Sequence, residues 1–267
     1  MLKDITIGQY FPGNSIVHKL DPRMKIIITT LFIALLFAAN SVYSLLVGVA
    51  YLFIIVPVSK IPVKMIFKSL KPIIPIVIFT TILNLFFVRG GKTVFDWWII
   101  TITTEGIRFT VFMVVRIICL IAGTSMLTYT TSPIVLTDAI ERLLSPLKKV
   151  KMPVHELAMM MTIALRFIPT LIEETDKIMS AQKARGADIE SGGLLSRIKA
   201  LIPIIIPLFI SAFRRAEELA LAMECRCYRG GEGRTRLKQL KTAPRDYLAL
   251  VFTLAFLGGV IVLNILF

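Results

Sequence analysis

Five long apolar stretches dominate this chain. Runs at about residues 24–40, 42–58, 72–88 and 108–130, and a fifth from Tyr247 to Phe267, meet or approach the roughly 17–25 residues a helix needs to cross bilayer hydrocarbon. Only a structure that bonds its own backbone groups is stable there, and a helix does so within one segment. Hydrophobic residues make up 56% of the 267 and mean hydropathy is +0.78, against roughly 45–50% apolar in soluble domains. The predicted class is an all-α integral membrane protein with about five transmembrane helices and long amphipathic cytosolic coupling helices inserted before the last span.

Charge gives the orientation. Lys60, Lys64, Lys68 and Lys71 follow the second run with no acid among them, while the turn from Asn40 to Ser44 is uncharged. Cytoplasmic loops carry the excess of Lys and Arg, so the N-terminus is expected in the cytosol. Residues 89–107 then fall outside, with Gly90-Gly91 as a turn, Trp97-Trp98 as an interfacial anchor and Thr101 to Thr104 alternating with isoleucine like a short strand. The formal charge of +14 is distributed in blocks between apolar runs, as in membrane loops and not as in a nucleic-acid-binding face. Met1 to Leu20 has no apolar core ahead of a small-residue cleavage site, so no cleaved leader is expected. Cys119, Cys225 and Cys227 form no even disulfide framework and read as reduced.

The expected division is a membrane domain over 1–131, a cytosolic coupling domain over 132–244 and a last transmembrane helix over 245–267. Three helices are predicted in the middle part. One runs from Pro133 to Leu147, opened by Thr131-Ser132-Pro133; one from Pro153 to Arg185, stopped by Gly186; one from Leu194 to Tyr228, stopped by Gly230-Gly231. The apolar run Ala200 to Phe213 is too short to span and is flanked by Arg197, Lys199, Arg214 and Arg215. It fits a helix lying at the interface, bent by Pro203 and Pro207. Leu157, Met160, Met161, Ala164, Leu165 and Ile168 form a stripe that reads as core packing, or alternatively as a groove for a partner's helix.

Catalytic and nucleotide motifs are not found. Gly91-Lys92-Thr93 resembles the end of a phosphate loop, but Phe86 stands where its first glycine belongs. Gly230-Gly231-Glu232-Gly233-Arg234 follows a helix and reads as an exit loop. Cys225 and Cys227 lack a second Cys or His pair for a closed zinc site, and His18 and His155 stand far apart. Arg116 and Asn84 are the notable polar residues inside spans. An intramembrane arginine needs a protein or water partner, or must snorkel to an interface. Neither a cofactor nor a catalytic role is expected. An internal repeat of spans, the mark of many stand-alone secondary transporters, is likewise not found, although such a transporter is the alternative class.

Two helix ends share a pattern. Ala181-Gln182-Lys183-Ala184-Arg185-Gly186 and, forty-one residues on, Ala222-Met223-Glu224-Cys225-Arg226-Cys227 each place an arginine four residues after an alanine. By themselves these cations suit a last helical turn through the helix dipole. Paired, they suggest a grip on a two-fold partner. Together with Leu20-Asp21-Pro22-Arg23-Met24-Lys25, Leu127 to Pro133 and Leu165-Arg166-Phe167-Ile168-Pro169, they make the chain resemble the T component of energy-coupling factor transporters, the EcfT/CbiQ family.

The resemblance implies a prokaryotic plasma-membrane scaffold for a vitamin or metal-ion importer. Two related ABC-type ATPases, forming a heterodimer, are expected to bind from the cytosol and to hydrolyse the ATP. A separate membrane S component is expected to bind the substrate, so this chain does not specify the cargo. The family's two Ala-Arg-Gly docking motifs fall on Ala184, Arg185 and Gly186 and on Cys225, Arg226 and Cys227. The second departs from the pattern. A cysteine at 227 lacks glycine's freedom and is expected to disfavour a turn there, and Tyr228-Arg229-Gly230 offers a competing register to the preferred Arg226.

Overall fold

The computed structural model describes residues 10–88, 90–97, 100–187, 193–230 and 240–266. In chain order these form α1 (Pro22–Ala38), α2 (Val42–Ser59), α3 (Val63–Leu70), α4 (Ile74–Phe87), β1 (Thr93–Trp97), β2 (Ile100–Thr103), α5 (Thr104–Thr130), α6 (Pro133–Leu143), α7 (Val154–Ala184), α8 (Leu194–Glu224) and α9 (Pro244–Leu266). Short 3-10 turns at Lys71–Ile73 and Ser145–Val150 join α3 to α4 and follow α6. The described residues fall into two compact units, 10–139 with 240–266, and 140–230.

Within the first unit, α2, the continuous stretch Val63–Phe87, α5 and α9 are long and apolar enough to cross a membrane. α1 has 17 residues, about 25 Å at 1.5 Å per residue, the short end of spanning length. It packs on α9, α5 and α2. The fifth helix of crossing length and composition is α7, in the second unit, where an amphipathic coupling helix was expected. Residues 60–71 differ from the expected loop. Val63, Ile66, Phe67 and Leu70 share one face of α3 and Lys64 and Lys68 another, so the lysines sit on an amphipathic helix continuous with the span.

The core of this unit is aromatic and aliphatic. Phe32, Leu35, Leu36, Tyr51, Met126, Tyr129 and Val260 are almost fully buried. Tyr51 stacks on Phe32 at 5.0 Å and meets Phe256 edge-on at 5.4 Å, while its hydroxyl is 3.0 Å from Thr253 Oγ1. Gly123 permits a close approach of helices, since a Cβ there would lie 2.2 Å from the Phe32 ring. α4 has no buried residue. It packs on α5, and its exposed side chains, such as Ile78, Phe79, Ile82 and Phe87, face lipid or a partner.

Polar clamps close both ends of the bundle. At one end the buried Lys25 Nζ donates to His18 O at 3.1 Å, Thr130 O at 2.9 Å and Thr131 Oγ1 at 3.2 Å. Asp246, also buried, accepts from Asp21 N at 2.8 Å and Ala243 N at 2.6 Å, and Asp21 caps α1 by accepting from Arg23 N at 2.9 Å. At the other end Asn264 accepts from Asn40 N at 3.2 Å and Ser44 Oγ at 2.6 Å and donates to Ala38 O. Arg116 donates to Ala39 O and lies 4.5 Å over the Phe112 ring. The intramembrane arginine thus has protein partners at the C-terminal end of α1, where a helix presents its unpaired carbonyls.

These clamps fix topology. The start of α1, the end of α5 and the start of α9 meet at one end of the unit, so the chain between Thr130 and Pro244 begins and ends on the same side. β1 and β2 pair antiparallel, with Thr93 opposite Thr103 and Trp97 opposite Ile100. Thr103 then caps α5 by accepting from Gly106 N at 3.1 Å.

Candidate functional site

In the second unit α7 and α8 lie antiparallel. Near one end Tyr228 donates to Met159 Sδ at 2.9 Å; in the middle Ser211 donates to Glu174 Oε1 at 2.8 Å and Arg215 pairs with Glu174 Oε2; near the other end Gln182 donates to Pro203 O at 3.3 Å. Ile163, Phe167, Ala216, Ala220 and Met223 line a cavity of about 550 Å3 between the helices. Both helices run through internal prolines, Pro169 in α7 and Pro203 and Pro207 in α8.

The two helix ends have the same backbone construction. In α7, Gly186 N donates to Lys183 O at 3.0 Å and Ala187 N to Gln182 O at 3.0 Å, with Gly186 left-handed at φ 85°. In α8, Cys227 N donates to Glu224 O at 2.8 Å and Tyr228 N to Met223 O at 3.1 Å, with Cys227 left-handed at φ 55°. These are paired 6→1 and 5→2 bonds around a left-handed residue, which satisfy the last carbonyls of a helix. Arg185 and Arg226 each stand immediately before that residue.

The expectation for Cys227 is thereby corrected. The chain does turn at 227 without glycine, because the two backbone bonds offset the steric cost of a Cβ at positive φ. The same bonds set the register. Arg226, not Arg229, occupies the position equivalent to Arg185, although Gly230 is also left-handed at φ 88°.

Both arginine side chains are exposed, and neither guanidinium has a hydrogen-bond or ion-pair partner among the described residues. Ala184, Gly186, Cys225 and Cys227 are exposed beside them, and both cysteines are free thiols. The tips stand at opposite ends of the helix pair. From Met159, beside Tyr228, to Arg185 the α7 axis advances about 40 Å.

The methionine-bearing stripe of α7 departs from core packing. Leu157, Met160, Met161 and Ala164 are exposed, as are Ile202, Ile205, Ile206, Phe209, Ile210 and Phe213 of α8. In the register of the pair, the α7 patch lies toward the Tyr228 end and the α8 patch runs from the middle to the Gln182 end, so each helix carries its own exposed apolar patch. Among the described residues, no group of three or more His, Cys, Asp or Glu could hold a metal. His155 pairs with Glu141 at 3.0 Å, and His18 with Ser15 Oγ at 2.6 Å and Phe11 O at 3.0 Å.

The Glu174–Ser211–Arg215 tie was not anticipated from the sequence. Its only signal there is the charge pair Glu173-Glu174 on one helix facing Arg214-Arg215 on the next.

The family model described as cobalt transport protein, CbiQ, matches residues 13–237. The chain belongs to this family. Its relatives include the energy-coupling factor transporter transmembrane protein EcfT of Ruminiclostridium cellulolyticum, 54% identical over 267 residues and covering all of both chains. Proteins of the same name from Clostridium kluyveri and Listeria innocua are 56% identical over 250 residues, 93% of each chain, and 47% identical over 261 residues, 98% of each chain. The chain is accordingly the multi-pass transmembrane component of an energy-coupling factor transporter.

Proposed function

We propose that this transmembrane component is the non-catalytic scaffold that couples ATP hydrolysis by two cytosolic ABC-type ATPases, a heterodimer, to uptake through a separate S component. The observation that carries the reading is the repeated helix end. One backbone construction presents an exposed arginine at each end of an antiparallel helix pair, the arrangement that meets two equivalent grooves on a two-fold partner. Guanidinium offers five donors in a fixed fork, suited to an acidic groove. Ala184, Gly186, Cys225 and Cys227 are small enough to let each arginine enter.

On this reading residues 132–244, with α6, α7 and α8, lie at the cytosolic face of a prokaryotic plasma membrane, and the N-terminus is cytosolic. Parity supports it. The chain leaves α5 and enters α9 on one side, so α7 alone cannot cross; α7 and α8 both cross or neither does. The apolar run of α8 is fourteen residues between arginine and lysine flanks, too short to span. The exposed apolar patches of the two helices then meet lipid or the S component. The cargo, a vitamin or a metal ion, is set by that component.

Arg185→Glu and Arg226→Glu, singly and together, test the assignment. Each single variant weakens co-purification with the ATPases, and the double variant abolishes it together with uptake. Normal assembly of the double variant overturns the docking roles.

A further inference from the structure

A cavity of about 610 Å3 opens on the first unit between α1, α2, α5 and α9. Its walls are largely apolar, with Phe32, Leu52, Ile55, Met126, Val251 and Phe252 among them; its two charged members, Lys25 and Arg245, gather at one end, while at the other Tyr51 and Thr253 bond to each other. On each helix the lining covers the same depth. It runs from Lys25 to Phe32 on α1, Val58 to Tyr51 on α2, Thr130 to Gly123 on α5 and Arg245 to Thr253 on α9, about 10–12 Å of helical rise. All four stretches start from the clamped end of the unit. The cavity therefore extends from one membrane interface most of the way through one leaflet, since the whole hydrocarbon is about 30 Å thick.

Water has too few polar partners in such a space to fill it. The cations at its mouth are not equivalent. Lys25 spends its three N–H donors on His18 O, Thr130 O and Thr131 Oγ1, all neutral oxygens, so it contributes field but no free donor. Arg245 is exposed in the first turn of α9 and has no partner among the described residues. The neighbouring carboxylates are engaged, Asp21 with Arg23 and Asp246 with two backbone N–H groups.

The geometry points to a phospholipid site. An anionic phospholipid of the leaflet at the clamped end lays an acyl chain in the cavity and its phosphate against Arg245. Apolar walls of leaflet depth select the chain, and an unpaired guanidinium at headgroup level selects the charge. The site lies within the first unit, on α1, α2, α5 and α9 with Ile16, Val17 and Leu20 ahead of α1, and does not depend on the arginine tips.

The full-length chain, purified in mild detergent and titrated with phosphatidylglycerol or phosphatidylcholine, tests this by native mass spectrometry. The wild type retains phosphatidylglycerol in preference to phosphatidylcholine. Arg245→Gln, a surface change, lowers that preference about five-fold, the worth of one cation near an anionic headgroup. Ala249→Phe, which fills the cavity, lowers retention of both lipids. Equal retention of the two lipids by the wild type, or an Arg245→Gln variant indistinguishable from it, overturns the site. So does an Ala249→Phe variant that keeps its lipid while losing a partner subunit, which makes the cavity a protein-docking groove.

Discussion

Glu174 accepts from Arg215 at a point eleven residues before Arg185 on α7 and eleven before Arg226 on α8. Eleven residues are about three helical turns, so each arginine stands near the face that carries the central pair. With the helices antiparallel, the two tips are related by an approximate two-fold through this contact. A local two-fold in a single chain is the simplest way to offer equivalent contacts to two related partner subunits.

The central pair itself contributes modestly to stability. Its side chains are 25% and 38% exposed, and pairs of that kind are worth about 0.2–1 kcal/mol. A double-mutant cycle of Glu174→Ala and Arg215→Ala, followed by thermal unfolding in detergent, is expected to give a coupling energy below about 1 kcal/mol. The ion pair then serves to align α7 and α8. A coupling of several kcal/mol would make it a main source of stability instead.

Cys227 holds a left-handed conformation that costs an L-residue roughly 1–2 kcal/mol. Cys227→Gly is expected to protect the last turn of α8 against hydrogen exchange, with its two backbone bonds retained. Gly186→Ala does the reverse at the end of α7. An added Cβ there meets nothing within 4 Å, so the loss is one of backbone conformation alone. Unchanged exchange in both variants would remove the strain account.

The apolar spans and the caps were legible in the sequence because each depends on local pattern. Asp21 and Pro22 open α1 as a cap followed by proline at the first helical position, and the third, fourth and fifth runs are helical at nearly the expected positions. Three things were not legible. The helical state of Val63–Leu70 was hidden by lysines that also mark a cytosolic loop. The turn at Cys227 depends on backbone bonds that outweigh a residue preference. The partners of Arg116 and Lys25, Ala39 O on one hand and Thr130 O on the other, lie 77 and 105 residues away, and a single sequence does not record contacts at that range. The arginine pair was visible as a repeat, whereas its placement at opposite ends of an antiparallel pair required the fold.

Lys25 ties α1 to the end of α5 at the point where the chain leaves the bundle. Lys25→Met would strand His18 O, Thr130 O and Thr131 Oγ1, with Thr130 and Thr131 buried. The expected loss is about 3 kcal/mol, since a bond to a charged group contributes roughly 1.5–3 and a buried unpaired acceptor costs roughly 1–3. Thermal unfolding in detergent measures it. A loss below about 0.5 kcal/mol would mean that water replaces the ammonium and that the clamp is not what closes this end.

The central claim is that Arg185 and Arg226 each enter one ATPase subunit. A photoreactive amino acid at position 181, and separately at position 222, places a short-range probe one helical turn before each arginine, outside the small residues that flank it, on an exposed helix end. Irradiation of the assembled transporter is predicted to capture one ATPase subunit from 181 and the other from 222, with capture lost when the neighbouring arginine is changed to glutamate. Capture of the same subunit from both positions, or of the S component from either, would contradict the account.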